Sequence, residues 1–246
     1  VTERIQKVLS QWGIASRRQA EKMILTGRVK LNDRIAVLGD KVDLSKDKLQ
    51  VDERIIENIH RPASIYLLLN KPLGVVSTCH DPQKRPTVID LLPNHLNQGQ
   101  GIHPVGRLDI NSSGALLLTN DGKLTLNLTH PRYHLPKTYH VWLDGCPTNQ
   151  DLDVWRKGIM LFGRITLPAK IKVLQQEKTK TLLEIILIEG RNRQIRRVAE
   201  ALGFKVMVLH RTAIASITLR TESGKNLSLG KYRHLTDEEV KFLQTI

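Results

Sequence analysis

Aromatic side chains are scarce: three Trp, four Tyr and three Phe make up 4% of the 246 residues. A broad platform of exposed rings for stacking successive bases is thereby excluded, and any stacking contact must come from one of a few rings. Cysteine is scarcer. Cys79 and Cys146 lie in unrelated segments without Cys-x-x-Cys or Cys/His spacing, so neither a disulfide framework nor a zinc site is indicated. Long apolar runs are missing too, since Ile65–Leu69 and Ala115–Leu118 fall far below the ~18 residues of a membrane span. The opening residues Val-Thr-Glu-Arg-Ile-Gln lack the succession of a signal peptide, and the expectation is a cytosolic protein trimmed only of an initiator Met.

Acidic residues are in deficit, with 24 Asp+Glu against 38 Lys+Arg, a formal net charge of +14. Such an excess implies a polyanionic partner, nucleic acid ahead of an anionic membrane surface, because the basic residues also cluster in motifs. At this length the chain can bury one large core or two smaller ones.

Ile5, Val8, Leu9 and Trp12 form one apolar stripe of a short helix that Gly13 ends. Ser16 with Gln19 makes a capping-box start for a second helix, buried through Ala20, Met23 and Ile24 and stopped by Gly27. Its outward face is basic. Arg17, Arg18, Lys22 and Arg28 project from it, and residues 1–30 carry seven basic and two acidic groups, 7 − 2 = +5. Short alternating stretches follow at Val29–Leu31, Ile35–Val37 and Leu49–Val51. Residues 58–64 lose all periodicity and read as a linker, with a boundary near residue 62. The expected domains are 1–61, a small αα-plus-β module, and 65–246. In the second, strand patterns (Ile65–Leu69, Ala115–Leu118, Tyr139–Leu143, Ile165–Leu174, Thr181–Ile188, Lys205–Leu209) outnumber helical ones (Leu124–Thr129, Asn149–Lys157, Gln194–Leu202, Asp237–Gln244). Without regular β-α-β alternation, an α+β domain with a mixed, largely antiparallel sheet and flanking helices fits best.

Four segments can carry chemistry. His103 to Gly122 sets polar, flexible residues before a buried strand and can hold Asp109 in a fixed loop with Arg107 beside it; a turn-capping Asp fits the same pattern. Glu189 to Arg197 places Arg191, Arg193, Arg196 and Arg197 at a strand-to-helix junction, where guanidiniums can grip phosphates or hold a carboxylate ionised, and where a solvated surface is the alternative. In Lys137–Leu143, Tyr139 shares the inward face with Val141 and Leu143, as either a functional ring or a core tyrosine with its hydroxyl satisfied. Leu69 to Gly74 ends a strand in a Pro/Gly turn where Lys71 meets phosphate or solvent.

Taken in order, Leu-Asn-Lys-Pro-Leu-Gly (69–74), Gly-Arg-Leu-Asp (106–109), Lys-Thr-Tyr (137–139) and Glu-Gly-Arg-Asn-Arg-Gln-Ile-Arg-Arg (189–197) resemble the motifs of the RsuA/RluB family of ribosomal RNA pseudouridine synthases. The first 60 residues resemble the S-four-type RNA-binding module that precedes the catalytic domain in most members. Ser112 stands where many relatives carry Thr, and Val198 where Met is common. The resemblance implies isomerisation of a uridine in RNA with no cofactor and no metal. It implies Asp109 as the essential aspartate, Tyr139 as the ring on the target base, Arg196 as the partner of the aspartate, Ile195 as the aliphatic floor and Arg107 as an RNA contact. Lys71, Arg191, Arg193, Arg17, Arg18, Lys22 and Arg28 are the expected RNA-binding cations. The expected partner is ribosomal RNA or an assembling ribosomal subunit, with no membrane and a monomeric enzyme. Large-subunit 23S RNA is preferred over small-subunit 16S RNA, because the Gln-Ile-Arg-Arg run and the Asn-Arg before it resemble the large-subunit members more closely. The other-class alternative is a non-catalytic RNA-binding assembly factor. A nuclease or glycosidase would need a metal cluster or a carboxylate pair, and neither has recognisable spacing.

Overall fold

Local signals near the start fold as their chemistry dictates. The computed structural model describes residues 2–57, 62–221 and 223–246; residues 58–61, the first part of the expected linker, lie outside the described residues. Helix α1 (Ile5–Gln11) turns at Gly13, and α2 (Arg17–Leu25) begins in a complete capping box, Ser16 Oγ accepting from Gln19 N while Gln19 Oε1 accepts from Ser16 N. Strands β1 (Val29–Leu31), β2 (Arg34–Ile35), β3 (Leu49–Val51) and β4 (Arg54–Ile56) form an antiparallel sheet in the order β2-β1-β3-β4. Its core joins Ile5, Leu9, Ile24, Val29, Leu49 and Val51. The alternating stretch expected over Ile35–Val37 is cut short: Ala36 N still donates to Val29 O, but Val37 leaves for a turn closed by Asp40.

Two compact units divide the chain, and the division is not linear. The first gathers Val1–Ile65 with Leu92–His103 and Thr119–Gly122; the second holds Tyr66–Leu91, Pro104–Leu118 and Lys123–Ile246. Inside the first unit, backbones approach too closely for any side chain. A Cβ on Gly13 would lie 2.2 Å from the Gly99 carbonyl oxygen, and one on Gly101 2.7 Å from that of Ser10.

The second unit is built on β5 (Tyr66–Lys71), β6 (Ser113–Thr119), β7 (Lys137–Asp144), the short hairpin β8 (Met160–Leu161) and β9 (Arg164–Ile165), β10 (Lys170–Gln176), β11 (Lys180–Leu187), β12 (Lys205–Ile214) and β13 (Tyr232–His234). The main sheet runs β10-β11-β7-β12-β6-β5-β13, with β12 and β6 parallel and the β10–β11, β11–β7, β7–β12 and β5–β13 pairs antiparallel. The mixed, mostly antiparallel α+β architecture is thus as the sequence pattern indicated. Helices α3 (Gly122–Thr129), α4 (Asn149–Lys157), α5 (Gln194–Ala201) and α6 (Asp237–Gln244) accompany it, α5 against β12 and α4 against β10. One core joins Leu68, Ala115, Leu117, Leu124, Leu128, Ile214 and Leu243.

One expected strand splits. Ile165–Leu174 becomes β9 and β10, because Pro168 between them cannot donate to a ladder. Another grows: β12 runs to Ile214 because β7 pairs with it from Lys205 to Ile214, while β6 meets it only at His210 and Arg211.

Candidate active site

The parallel pairing of β6 with β12 requires a residue without a side chain. Gly114 lies opposite Arg211 at φ +110°, and a Cβ there would sit 2.2 Å from the Arg211 carbonyl oxygen. That close approach fixes where β6 starts, and the loop before it carries Asp109.

Five consecutive main-chain carbonyls of that loop are held. Leu108 O accepts from Ser77 Oγ at 2.8 Å, Asp109 O from Ser112 N at 3.0 Å and Ile110 O from Gly74 N at 2.9 Å. Asn111 O accepts from Arg196 Nη2 at 2.6 Å and Ser112 O from Lys71 Nζ at 2.8 Å. Five consecutive oxygens bonded from several elements leave the backbone of Asp109 little freedom, the condition for a preorganised functional group.

Asp109 opens into a cavity of about 470 Å³ lined also by Arg107, Tyr139, Leu187, Ile195, Arg196 and Arg211. Its volume falls within the roughly 300–1,000 Å³ of small-ligand sites. Tyr139 reaches it from β7, where a bulge between Thr138 and Tyr139 shifts the register beside Arg211. Only 8% of Tyr139 is exposed, yet no hydrogen bond within the described residues holds its hydroxyl. A core tyrosine would have that group satisfied. Ile195, buried on α5, supplies an apolar wall.

The arginines are used differently from the arrangement implied by the resemblance. Arg193, not Arg196, is the guanidinium in ion-pair range of Asp109, Nη1 to Oδ2 at 3.7 Å. Arg193 stands at the N-cap of α5 in a left-handed conformation, φ +52°, and its side chain makes no cap hydrogen bond. Arg196 lies one turn further on and spends its terminal nitrogens on the carbonyls of Asn111 and Val206. Burial and the neighbouring Arg193 push its pKa down, against the pull of Asp109. Arg191 is likewise committed to the protein: Nε bonds Glu189, and Nη1 and Nη2 bond the carbonyls of Arg164 and Ile165. It staples the β8–β9 hairpin and is not an open phosphate grip.

Lys71 is also corrected. It is completely buried, with Nζ donating to Pro72 O and Ser112 O, so it touches neither phosphate nor solvent. Burial pushes its pKa down to about 8, with Asp109 opposing and Arg211 reinforcing the shift. Arg28 is paired with Asp52 through two hydrogen bonds, whereas Arg17, Arg18 and Lys22 stand exposed on α2. Arg107 is exposed at the cavity rim with no hydrogen bond or ion pair among the described residues.

Sequence reasoning misses two cations. Arg211 is 3% exposed and donates Nε to Ala115 O at 2.6 Å; Lys137 donates to Leu135 O, and burial next to Arg211 pushes its pKa down to about 8. The one sequence signal is an Arg two residues after the apolar run Val206–Leu209; its cavity position follows from pairing with a glycine 97 residues away. Among the described residues no group of three or more His, Cys, Asp or Glu can hold a metal ion, and no helix is long and apolar enough to cross a membrane.

Residues 65–201 match the RNA pseudouridylate synthase family and residues 3–49 the S4 domain. The chain is 41% identical to ribosomal large subunit pseudouridine synthase B of Bacillus subtilis, over 99% of this chain and 96% of that relative. It is 39% identical to the protein of the same description from Pseudomonas aeruginosa, over 99% of this chain and 62% of the longer relative. A crystal structure of a pseudouridylate synthase matches with a TM-score of 0.68 at 33% identity, covering 98% of this chain and 99% of the other.

Proposed function

The chain belongs to the RNA pseudouridylate synthase family, and from that premise we propose that it converts a specific uridine of large-subunit ribosomal RNA to pseudouridine, with Asp109 as the reacting carboxylate. The observation that carries the assignment is the loop of Asp109, fixed through five consecutive carbonyls at the mouth of a cavity that Tyr139 and Ile195 line. Both named relatives are described as large-subunit synthases, which supports that choice of RNA.

The reaction is an isomerisation. The bond from C1′ to N1 breaks, the base turns, C1′ joins C5, the C5 proton leaves and N1 ends protonated. Nothing is oxidised, and no cofactor is consumed. Asp109 acts in its ionised form, either attacking C1′ or removing the 2′ proton. Arg193 balances its charge, and Arg196 holds the loop that aims it. A stacked uracil cannot reach the carboxylate, so the nucleotide flips into the cavity, where Tyr139 recovers part of the few kcal/mol of stacking lost. The side wall formed by Ile195 offers no hydrogen bond to pin the base, which lets the uracil rotate. Arg107 at the rim contacts the RNA, while Arg17, Arg18 and Lys22 meet phosphates further along it; such contacts position without reading sequence.

Incubation with unmodified ribosomal RNA, mapped by carbodiimide-dependent reverse-transcription stops, should reveal one new stop in the large-subunit RNA. A stop in small-subunit RNA would move the assignment to that RNA, and no stop under conditions of binding would leave an RNA-binding assembly factor. Asp109→Asn should abolish the stop with RNA affinity kept within a few-fold; retained turnover would place the reacting group elsewhere.

A further inference from the structure

The hairpin β8–β9 carries a side chain that its own fold does not explain. Register pairs Met160 with Ile165 and Leu161 with Arg164, leaving Phe162 and Gly163 as a two-residue turn with φ of +51° and +72°. Such turns favour Asn, Asp or Gly, and a bulky ring with positive φ is an outlier. Phe162 is nevertheless 79% exposed, so folding gains almost nothing from its ring. Met160 and Ile165 beside it are 58% and 60% exposed. In a chain with three Phe in all, one of them is spent on solvent.

The hairpin is anchored firmly. Arg191 bonds two of its carbonyls, Thr166 bonds Ile159 at its base, and Leu167 N donates to Glu189. The loop that holds it is the one that presents Arg193 to Asp109. Arg197, from the first turns of α5, lies over one face of the Phe162 ring at 4.4 Å from its centroid. With one face on a guanidinium and most of the residue exposed, the opposite face is open to a planar group.

We propose that Phe162 is a stacking post for an unpaired nucleobase of the RNA substrate, one flanking the flipped uridine. The inference rests on the RNA-modifying reading above. Charge favours a nucleic-acid occupant: Arg164 is exposed on the hairpin and Arg197 lies against the ring, and a cation-backed ring stacks with any base. The post stands beside the cavity, since Leu167 and Arg191 line it as well. A base clamped there would keep the neighbouring stack from closing behind the extruded uridine.

The test compares wild type, Phe162→Ala and Phe162→Trp. With unmodified ribosomal RNA, Phe162→Ala should raise KM about ten-fold, and Phe162→Trp should restore it. In a short single-stranded RNA containing 2-aminopurine, wild type should quench the fluorescence and Phe162→Ala should not, a signal that a purely structural residue would not move. Equal KM and equal quenching in all three proteins would overturn the stacking role while leaving the enzyme reading intact; no turnover by wild type would overturn the enzyme reading itself. A concentration-dependent dimer lost in Phe162→Ala would also overturn the proposal, by assigning the ring to a second copy of the chain.

Discussion

Lys71 shows how one residue can link protonation to the shape of the candidate site. Its amine is sealed between Pro72 O and Ser112 O with a pKa near 8 in place of the ordinary 10.5. Between those values the unfolded chain holds more protons than the folded one, so stability rises with pH across that window. Lys71→Met leaves two buried carbonyls without a donor and should cost about 1–3 kcal/mol. Urea unfolding at pH 7.5 and 9.5 should show the gap between wild type and variant widening by about 1–2 kcal/mol. A constant gap would mean that the amine does not titrate there. The sequence places Lys71 at the end of a strand, where it is, but its burial comes from Ser112, 41 residues away. The same holds for the arginines at 191–197: their clustering is legible, whereas the division of labour among them depends on which distant carbonyl or carboxylate each one meets.

Among the elements, helix starts are written locally. The capping boxes at Ser16, Thr148 and Thr236 open helices α2, α4 and α6, because their signals need only three neighbouring residues. Pairing partners are not written locally. The pattern around Gly114 announces a buried strand, while the parallel contact that makes the glycine necessary is set by β12. Gly114→Ala should therefore cost about 3 kcal/mol or more, since both the positive φ and the 2.2 Å approach oppose a Cβ. The denaturant midpoint measures this. A shift below about 1 kcal/mol would mean that β6 and β12 part at little expense.

For the whole molecule, the net charge divides unevenly. Residues 1–60 hold 12 basic and 9 acidic groups, 12 − 9 = +3, and the remainder 26 and 15, 26 − 15 = +11. RNA affinity should fall steeply with salt, and replacing Arg17, Arg18 and Lys22 together by Ala should flatten the log–log slope by about 2–3, since each phosphate contact contributes roughly 0.7–0.9. An unchanged slope would remove α2 from the RNA interface. The tethers of the Asp109 loop bear on a different matter, the order of events during synthesis. Lys71, Gly74 and Ser77 precede the loop, but Arg196, which bonds Asn111, follows 85 residues later. At roughly 5–20 residues per second, the growing chain carries Asp109 for about 4–17 s before the last tether is made. A partly translated chain therefore holds its S4 domain ahead of a fully tethered Asp109 loop, which is completed only after most of the protein has been made.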